Sequence, residues 1–166
     1  MNKSHRYSIQ IEWTGNTGKG TEHYRSYSRS YRISAHGKMP IEGSSDPAFR
    51  GDGSKYNPEE LLLAALSSCH MLWYLHLCAE AGVHVHSYHD AATGTMREDA
   101  DGSGCFTEVI LRPVVCISDY SMQEKAVSLH KKAGEMCFIA RSVHFPVHHQ
   151  VEILIQGSAG QNASGL

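Results

Sequence analysis

The chain has 166 residues, 41% hydrophobic and 19% charged, with a formal net charge of −2, the proportions of one ordinary globular domain or one protomer of an interlocked dimer. Its basic residues are scattered, which excludes the clustered basic face that nucleic acid demands. No unbroken run of about 18 apolar residues marks a membrane span, and the start Met1-Asn2-Lys3-Ser4-His5-Arg6 leads into no signal-peptide core, so a cytoplasmic location is expected. Five cysteines without a CxxC pair speak for packed or reactive thiols, against a secreted disulfide framework.

Tyr7, Ile9, Ile11 and Trp13 alternate with polar residues and predict a half-buried strand, followed by a turn cluster from Thr14 to Gly20. Tyr24 to Ser34 predicts a second strand, with Arg25, Tyr27, Arg29, Tyr31 and Ile33 on one face. Met39 to Glu42 predicts a short third strand, kept at a sheet edge by Pro40. The polar stretch Gly43 to Tyr56 carries Arg50 and is long for a loop in a compact domain, a length often tied to function. Asn57-Pro58-Glu59-Glu60 supplies a capping side chain, a proline at the first helical position and an acid three residues after the cap. A helix is therefore expected to open here and run through Leu61 to Ala81, with Gly82 as its stop. It is apolar on nearly every side and should be buried. At roughly 35 Å it is too long for a small domain to wrap, so a second subunit is expected to cover part of it.

Val83 to Met96 and Phe106 to Ile117 predict two long strands joined by the turn Glu98 to Gly104, with Pro113 placing the second at an edge or a bulge. Ser121-Met122-Gln123-Glu124 predicts a capping box opening a helix to Ala133, stopped by Gly134. A short helix over Met136 to Ser142 is ended by Pro146, Val147 to Ile155 is a last strand, and Gly157 to Leu166 is a frayed tail. The order of elements is that of an α+β fold, a single domain over residues 1–156 with a flexible tail at 157–166.

Cys69 lies mid-helix in Ser67-Ser68-Cys69-His70, preceded by small residues that leave room for a neighbour or ligand. A thiolate there gains little from the helix dipole and needs an outside cation, an arginine by preference. Cys137 opens the short Met136 to Ser142 helix, where free N–H groups favour a thiolate, with Arg141 one turn on. Cys78 falls on the opposite side of the long helix from Cys69 by the 3.6-residue period; with Cys105 and Cys116 it reads as structural. The twelve histidines form no HExxH pattern and no Cys/His quartet, so they read as scattered surface residues, His84 and His86 sharing a strand face, and no metal is expected. Gly18-Lys19-Gly20-Thr21 lacks the rest of a phosphate loop.

The run Asn57-Pro58-Glu59-Glu60-Leu61-Leu62-Leu63-Ala64-Ala65-Leu66-Ser67-Ser68-Cys69 resembles the signature of the osmotically inducible protein C and organic hydroperoxide resistance (OsmC/Ohr) family. A second cysteine, Cys137, and a final strand with Val151-Glu152-Ile153 resemble it too, and the likeness runs from Tyr7 to Ile155. The resemblance implies an intertwined α+β homodimer with antiparallel sheets, a long buried central helix and active sites at the subunit interface. It implies a thiol-dependent peroxidase that reduces organic hydroperoxides or hydrogen peroxide in oxidative-stress defence. Cys69 would be the peroxidatic thiol, Cys137 its resolving partner through a disulfide, and Glu59 the residue orienting an activating arginine. That arginine is Arg29 or Arg50; a strand holds a guanidinium more firmly than a loop, which favours Arg29. The partners implied are a small-molecule peroxide and an external dithiol reductant, with no bound cofactor, nucleic acid or membrane. An apolar wall from Leu66, Leu72, Trp73 and Phe138 would favour organic substrates. Two positions depart from many relatives: His70 stands where phenylalanine is common, and Phe138 where proline is. They leave room for a second reading, a non-catalytic module of the same fold that binds a small molecule.

Overall fold

The computed structural model describes residues 3–157, so nearly all of the expected tail, from residue 158 on, lies outside the described residues. The chain divides into two compact units, one up to Leu61 and one from Leu62 onward.

The first unit is built on an antiparallel sheet of β1 (Gln10–Trp13), β2 (Tyr31–Ser34) and β3 (Ile41–Gly43), in that order. Ile11 lies opposite Ile33, and Trp13 opposite Tyr31. The expected strand from Tyr24 forms only over its last four residues; residues 24–27 are turns and bends, and 28–30 run irregularly beside 13–15. The reason is local. Asn16 Oδ1 accepts from the N–H groups of Gly18 and Gly20, Thr17 donates to the Ser26 carbonyl, and the Trp13 indole donates to the Ser28 carbonyl at 2.9 Å. Short polar side chains thus take the backbone groups a ladder would need. The stretch after Gly43 is a tied loop. Ser44 is buried and its N–H donates to the Tyr56 carbonyl, its hydroxyl accepts from Asp52 N, and Asp46 caps a 3-10 turn at Pro47–Phe49.

The long helix α1 (Pro58–Ala81) starts as expected: Asn57 Oδ1 accepts from Glu60 N at 2.8 Å, and Glu60 Oε2 accepts from Asn57 N at 3.1 Å. It stops at Gly82, whose φ of 73° only glycine adopts freely. Burial follows one stripe, Leu66, His70, Tyr74, Leu77 and Cys78, while Leu72 on another side is 63% exposed. The expectation of burial all round does not hold for the single chain. By length and a mean hydropathy of 1.5 the helix also qualifies as a membrane span, contrary to the sequence reading. Its stripe, however, packs against sheet and helix and carries a histidine, as a core helix does.

In the second unit three chain segments that read as long strands are each broken once and switch sheets. β4 (Val85–Asp90) gives way to β5 (Thr93–Glu98), β6 (Gly104–Leu111) to β7 (Pro113–Ile117), and β8 (Val147–His149) to β9 (Glu152–Ile155). The sheets are β4-β7-β9 and β5-β6-β8, each with one antiparallel and one parallel pairing. Arg112 fills the break. Its N–H donates to Asp90 Oδ1 at 2.7 Å, Nη1 to Thr93 Oγ1 at 2.7 Å, and Nε to Gln150 Oε1 at 3.1 Å. Pro113 sits in the central strand of its sheet, not at an edge. It is the strand's first residue, where a missing N–H is tolerated.

Helix α2 (Gln123–Met136) is preceded by a 3-10 turn at Tyr120–Met122. Asp119 caps that 3-10 turn, accepting from Ser121 N at 2.8 Å, and the expected Ser121 capping box does not form, since α2 opens after Met122 without a side-chain cap. Gly134 does not stop this helix, which continues to Met136. Tyr74, Leu77, Cys78, Val115, Ile117, Ala126, Leu129 and Ala133 form one core cluster; Leu66, Val109 and Leu111 form another.

Candidate functional site

Cys69 flanks the buried stripe of α1 and is half-buried; Cys137 is 1% exposed at the C-terminal end of α2. Both are free thiols and close neighbours, Cys69 acting on the Cys137 thiol to raise it. Cys78, on the far side of α1, packs in the core with its thiol pushed up by burial. The expected helix over Met136 to Ser142 is absent. Cys137 instead leaves α2 and caps a tight turn that ends in a 3-10 segment, Ala140–Ser142. Its Sγ accepts from Ala140 N at 3.3 Å, and its carbonyl accepts from Arg141 N at 3.1 Å. Amide donors do meet this sulfur. Burial and the neighbouring Cys69 outweigh them and raise the thiol well above its ordinary range. The proton therefore stays on Cys137, whose S–H is available to donate to Cys69.

Beside the thiols the second unit holds an aromatic stack that the sequence reading missed. His70 Nε2 lies 3.0 Å from His130 Nδ1; the His70 ring stacks on His149 with centroids 4.3 Å apart, and the His130 ring on Tyr74 at 3.7 Å. These are not surface histidines: His70 and His130 are both at least 98% buried. Burial drives both imidazoles down to about 3, so they are neutral. His70 Nδ1 and His130 Nε2 are buried without partners among the described residues. The signal was available: His70 and Tyr74 continue the i, i+4 stripe of Leu66, and His130 lies among Ala126, Leu129 and Ala133 on α2. Among the described residues no group of three or more side chains is assembled to hold a metal ion.

Of the expected apolar wall, Leu66 is sealed in the core. Leu72 and Phe138 are exposed, and Trp73 meets Phe138 edge-on at 5.9 Å.

Glu59, Arg29 and Arg50 belong to the first unit. Glu59 Oε2 is buried without a partner among the described residues, and the Tyr31 hydroxyl is raised by burial and by the Glu59 charge. Arg29 is not on a strand. It sits in the irregular segment before β2, donating to the carbonyls of Tyr27 and Tyr24 at 2.7 Å each, with its guanidinium over both tyrosine rings. The reason for favouring it over Arg50 therefore falls away. Arg50 adopts φ 65°, the one non-glycine residue at positive φ among the described residues, a strained backbone of the kind that clusters at functional sites.

The chain is thus an α+β protein whose long core helix offers a cysteine to a second, buried cysteine. The OsmC-like protein family model matches residues 51–152. An OsmC-like protein of unknown function from Vibrio cholerae is 31% identical, covers 89% of this chain and 99% of its own, and superposes with a TM-score of 0.80. The Bacillus subtilis protein YmaD, described as uncharacterized, is 23% identical over 156 residues, 92% of this chain and 95% of that protein. An organic hydroperoxide resistance protein from Elizabethkingia anophelis shares the fold, with a TM-score of 0.62 at 16% identity over 92% of this chain and 99% of that one. The chain belongs to the OsmC-like family.

Proposed function

We propose that the protein is a thiol-dependent peroxidase for organic hydroperoxides. The observation that carries this reading is the close approach of Cys69 and Cys137. Cys69 as thiolate attacks the distal peroxide oxygen, the O–O bond breaks, and the alkoxide takes a proton to leave as an alcohol, leaving a sulfenic acid on Cys69. The Cys137 sulfur then attacks that sulfenic sulfur, water leaves, and a Cys69–Cys137 disulfide forms. A cytoplasmic dithiol returns both thiols to the reduced state. Arg50 or Arg29, oriented by Glu59, supplies the cation that a mid-helix thiolate needs. The unpartnered Glu59 oxygen and the strained backbone of Arg50 now favour Arg50.

The working unit in this proposal is a homodimer. Ile9, Ile11, Trp13 and Leu72 are large apolar residues left exposed by the single chain, and a second copy is their natural cover. The exposed Phe138 and the half-buried Trp73 offer an apolar approach to the thiols, which suits an organic peroxide.

The test is intact mass of the reduced protein after one equivalent of cumene hydroperoxide, with and without thiol alkylation. Loss of two hydrogens and of two alkylatable thiols, mapped to a Cys69–Cys137 peptide, is expected. Cys69→Ser should abolish peroxide consumption. Cys137→Ser should allow the first step and then accumulate over-oxidised Cys69. A Cys69→Ser protein that consumed peroxide at the parent rate would overturn the assignment.

A further inference from the structure

Within the second unit, on the side of α2 that faces the β8–β9 segment, lies a cleft of about 680 Å³, inside the range of roughly 300–1,000 Å³ typical of small-molecule sites. We propose that it binds a small amphipathic carboxylate, with the charged end at Arg141 and Lys131 and the hydrocarbon part against Val127, Phe145 and Val147. Neither Cys69 nor Cys137 lines this cleft, and the proposal does not rest on the peroxidase reading.

Three observations carry the proposal. The lining combines cationic and apolar side chains. Lys131 and Arg141 set two cations against the single carboxylate of Glu135, and Val127, Phe145, Val147 and Val151 supply hydrocarbon surface. Neither cationic side chain has a hydrogen bond or ion pair among the described residues, so both are free to take an anion. One net positive charge and an apolar wall suit a monoanion better than a phosphate.

The floor is formed by His130 and His149. His130 is 2% exposed, and its Nε2 has no partner among the described residues. A buried imidazole nitrogen left unpaired is costly, and a small shift of the ring toward the cleft would let a ligand oxygen satisfy it. His149, half-buried, is held against Gly134: a Cβ built there would stand 2.9 Å from His149 Cε1. Glycine inside a helix is disfavoured, and here it makes room for that ring.

The pair also defines a readout. In the His70–His130 hydrogen bond one nitrogen donates and the other accepts. If a carboxylate oxygen draws the proton to His130 Nε2, then His130 Nδ1 is the acceptor and His70 Nε2–H the donor. Occupancy therefore selects one tautomer of both rings.

The experiment is a titration of full-length protein, labelled with ¹⁵N at histidine, with octanoate and separately with octanol. Saturable shifts of the His130 and His149 ring nitrogens with octanoate are expected, ending in the tautomer just described, with octanol binding at least about tenfold more weakly. Arg141→Gln should weaken octanoate binding about tenfold or more. Val127→Trp should abolish it by filling the mouth of the cleft; Val127 is 46% exposed, so the helix can carry the larger ring. Circular dichroism confirms that both variants fold. Absence of saturable shifts, equal affinity for octanol, or unchanged affinity in both variants would overturn the proposal.

Discussion

Acidification should unfold this protein earlier than its carboxylates alone require, because His70 and His130 are held neutral. Their imidazoles are driven down to about 3 in the folded chain by burial, each further opposed by a neighbouring histidine. In the unfolded chain they return to about 6.5. Between those values the unfolded state binds protons that the folded state refuses. The stability they contribute is therefore complete above about pH 6.5 and is lost progressively as pH falls toward 3. At about pH 5 each histidine costs about 2 kcal/mol, so the pair costs about 4 kcal/mol, a large share of the 5–15 kcal/mol typical of a domain. His149, also lowered by burial though partly opposed by Asp90, adds to the same trend. The lowered carboxylates of Asp52, Asp101 and Asp119 lose their contribution only below about pH 4, which leaves the window from about 6.5 to 4.5 to the histidines. Urea denaturation at fixed protein concentration, followed by tryptophan fluorescence across that window, gives the slope directly. Two protons correspond to about 2.7 kcal/mol per pH unit. A double variant, His70→Leu with His130→Leu, should flatten the slope whatever it does to stability at neutral pH. A parent protein that changes by less than about 1 kcal/mol between pH 7 and 5 would refute the reasoning, as would a double variant with the parent's slope.

Three further substitutions test the frame. Asn57→Ala removes the reciprocal cap of α1 and should cost about 1 kcal/mol in urea denaturation. Gly134→Ala would stabilise an ordinary helix by about 1 kcal/mol. Here the new Cβ meets the His149 ring, so the melting temperature should fall instead. Leu72→Glu, which changes an exposed apolar residue of α1, should shift the protein from dimer toward monomer in sedimentation velocity if that face is covered by a second copy.

What could be read in the sequence was what is decided locally. The start of α1 was legible because cap, proline and acid all lie within four residues, and its end because Gly82 must adopt positive φ. The α+β class followed from the order of elements. The irregular turn around Arg29 was not legible: its serines and tyrosines alternate as in a strand, while Thr17 and Trp13, far back in the chain, bond the carbonyls of Ser26 and Ser28. Nor were the breaks at Asp90, Arg112 and Gln150. Each segment keeps its apolar pattern through the break, and only their side-by-side arrangement shows that one arginine spans all three.

The thiol pair and the histidine stack share one cause, the packing of α1 on α2. Counting only conventional hydrophobics leaves gaps in both helical stripes, at His70 and at His130. Filled with neutral imidazoles, the gaps close, and they fall at the level where the two helices meet. His70 follows Cys69 directly on α1, and His130 lies two turns before Cys137 on α2. The contact that docks His70 on His130 thus also sets where Cys69 meets Cys137. A histidine at position 70 places an aromatic ring in the stack and adds a titratable proton. Acid that charges the stack should therefore loosen the thiol contact before it unfolds the chain, and the rate of disulfide formation should fall through the same pH window as the stability.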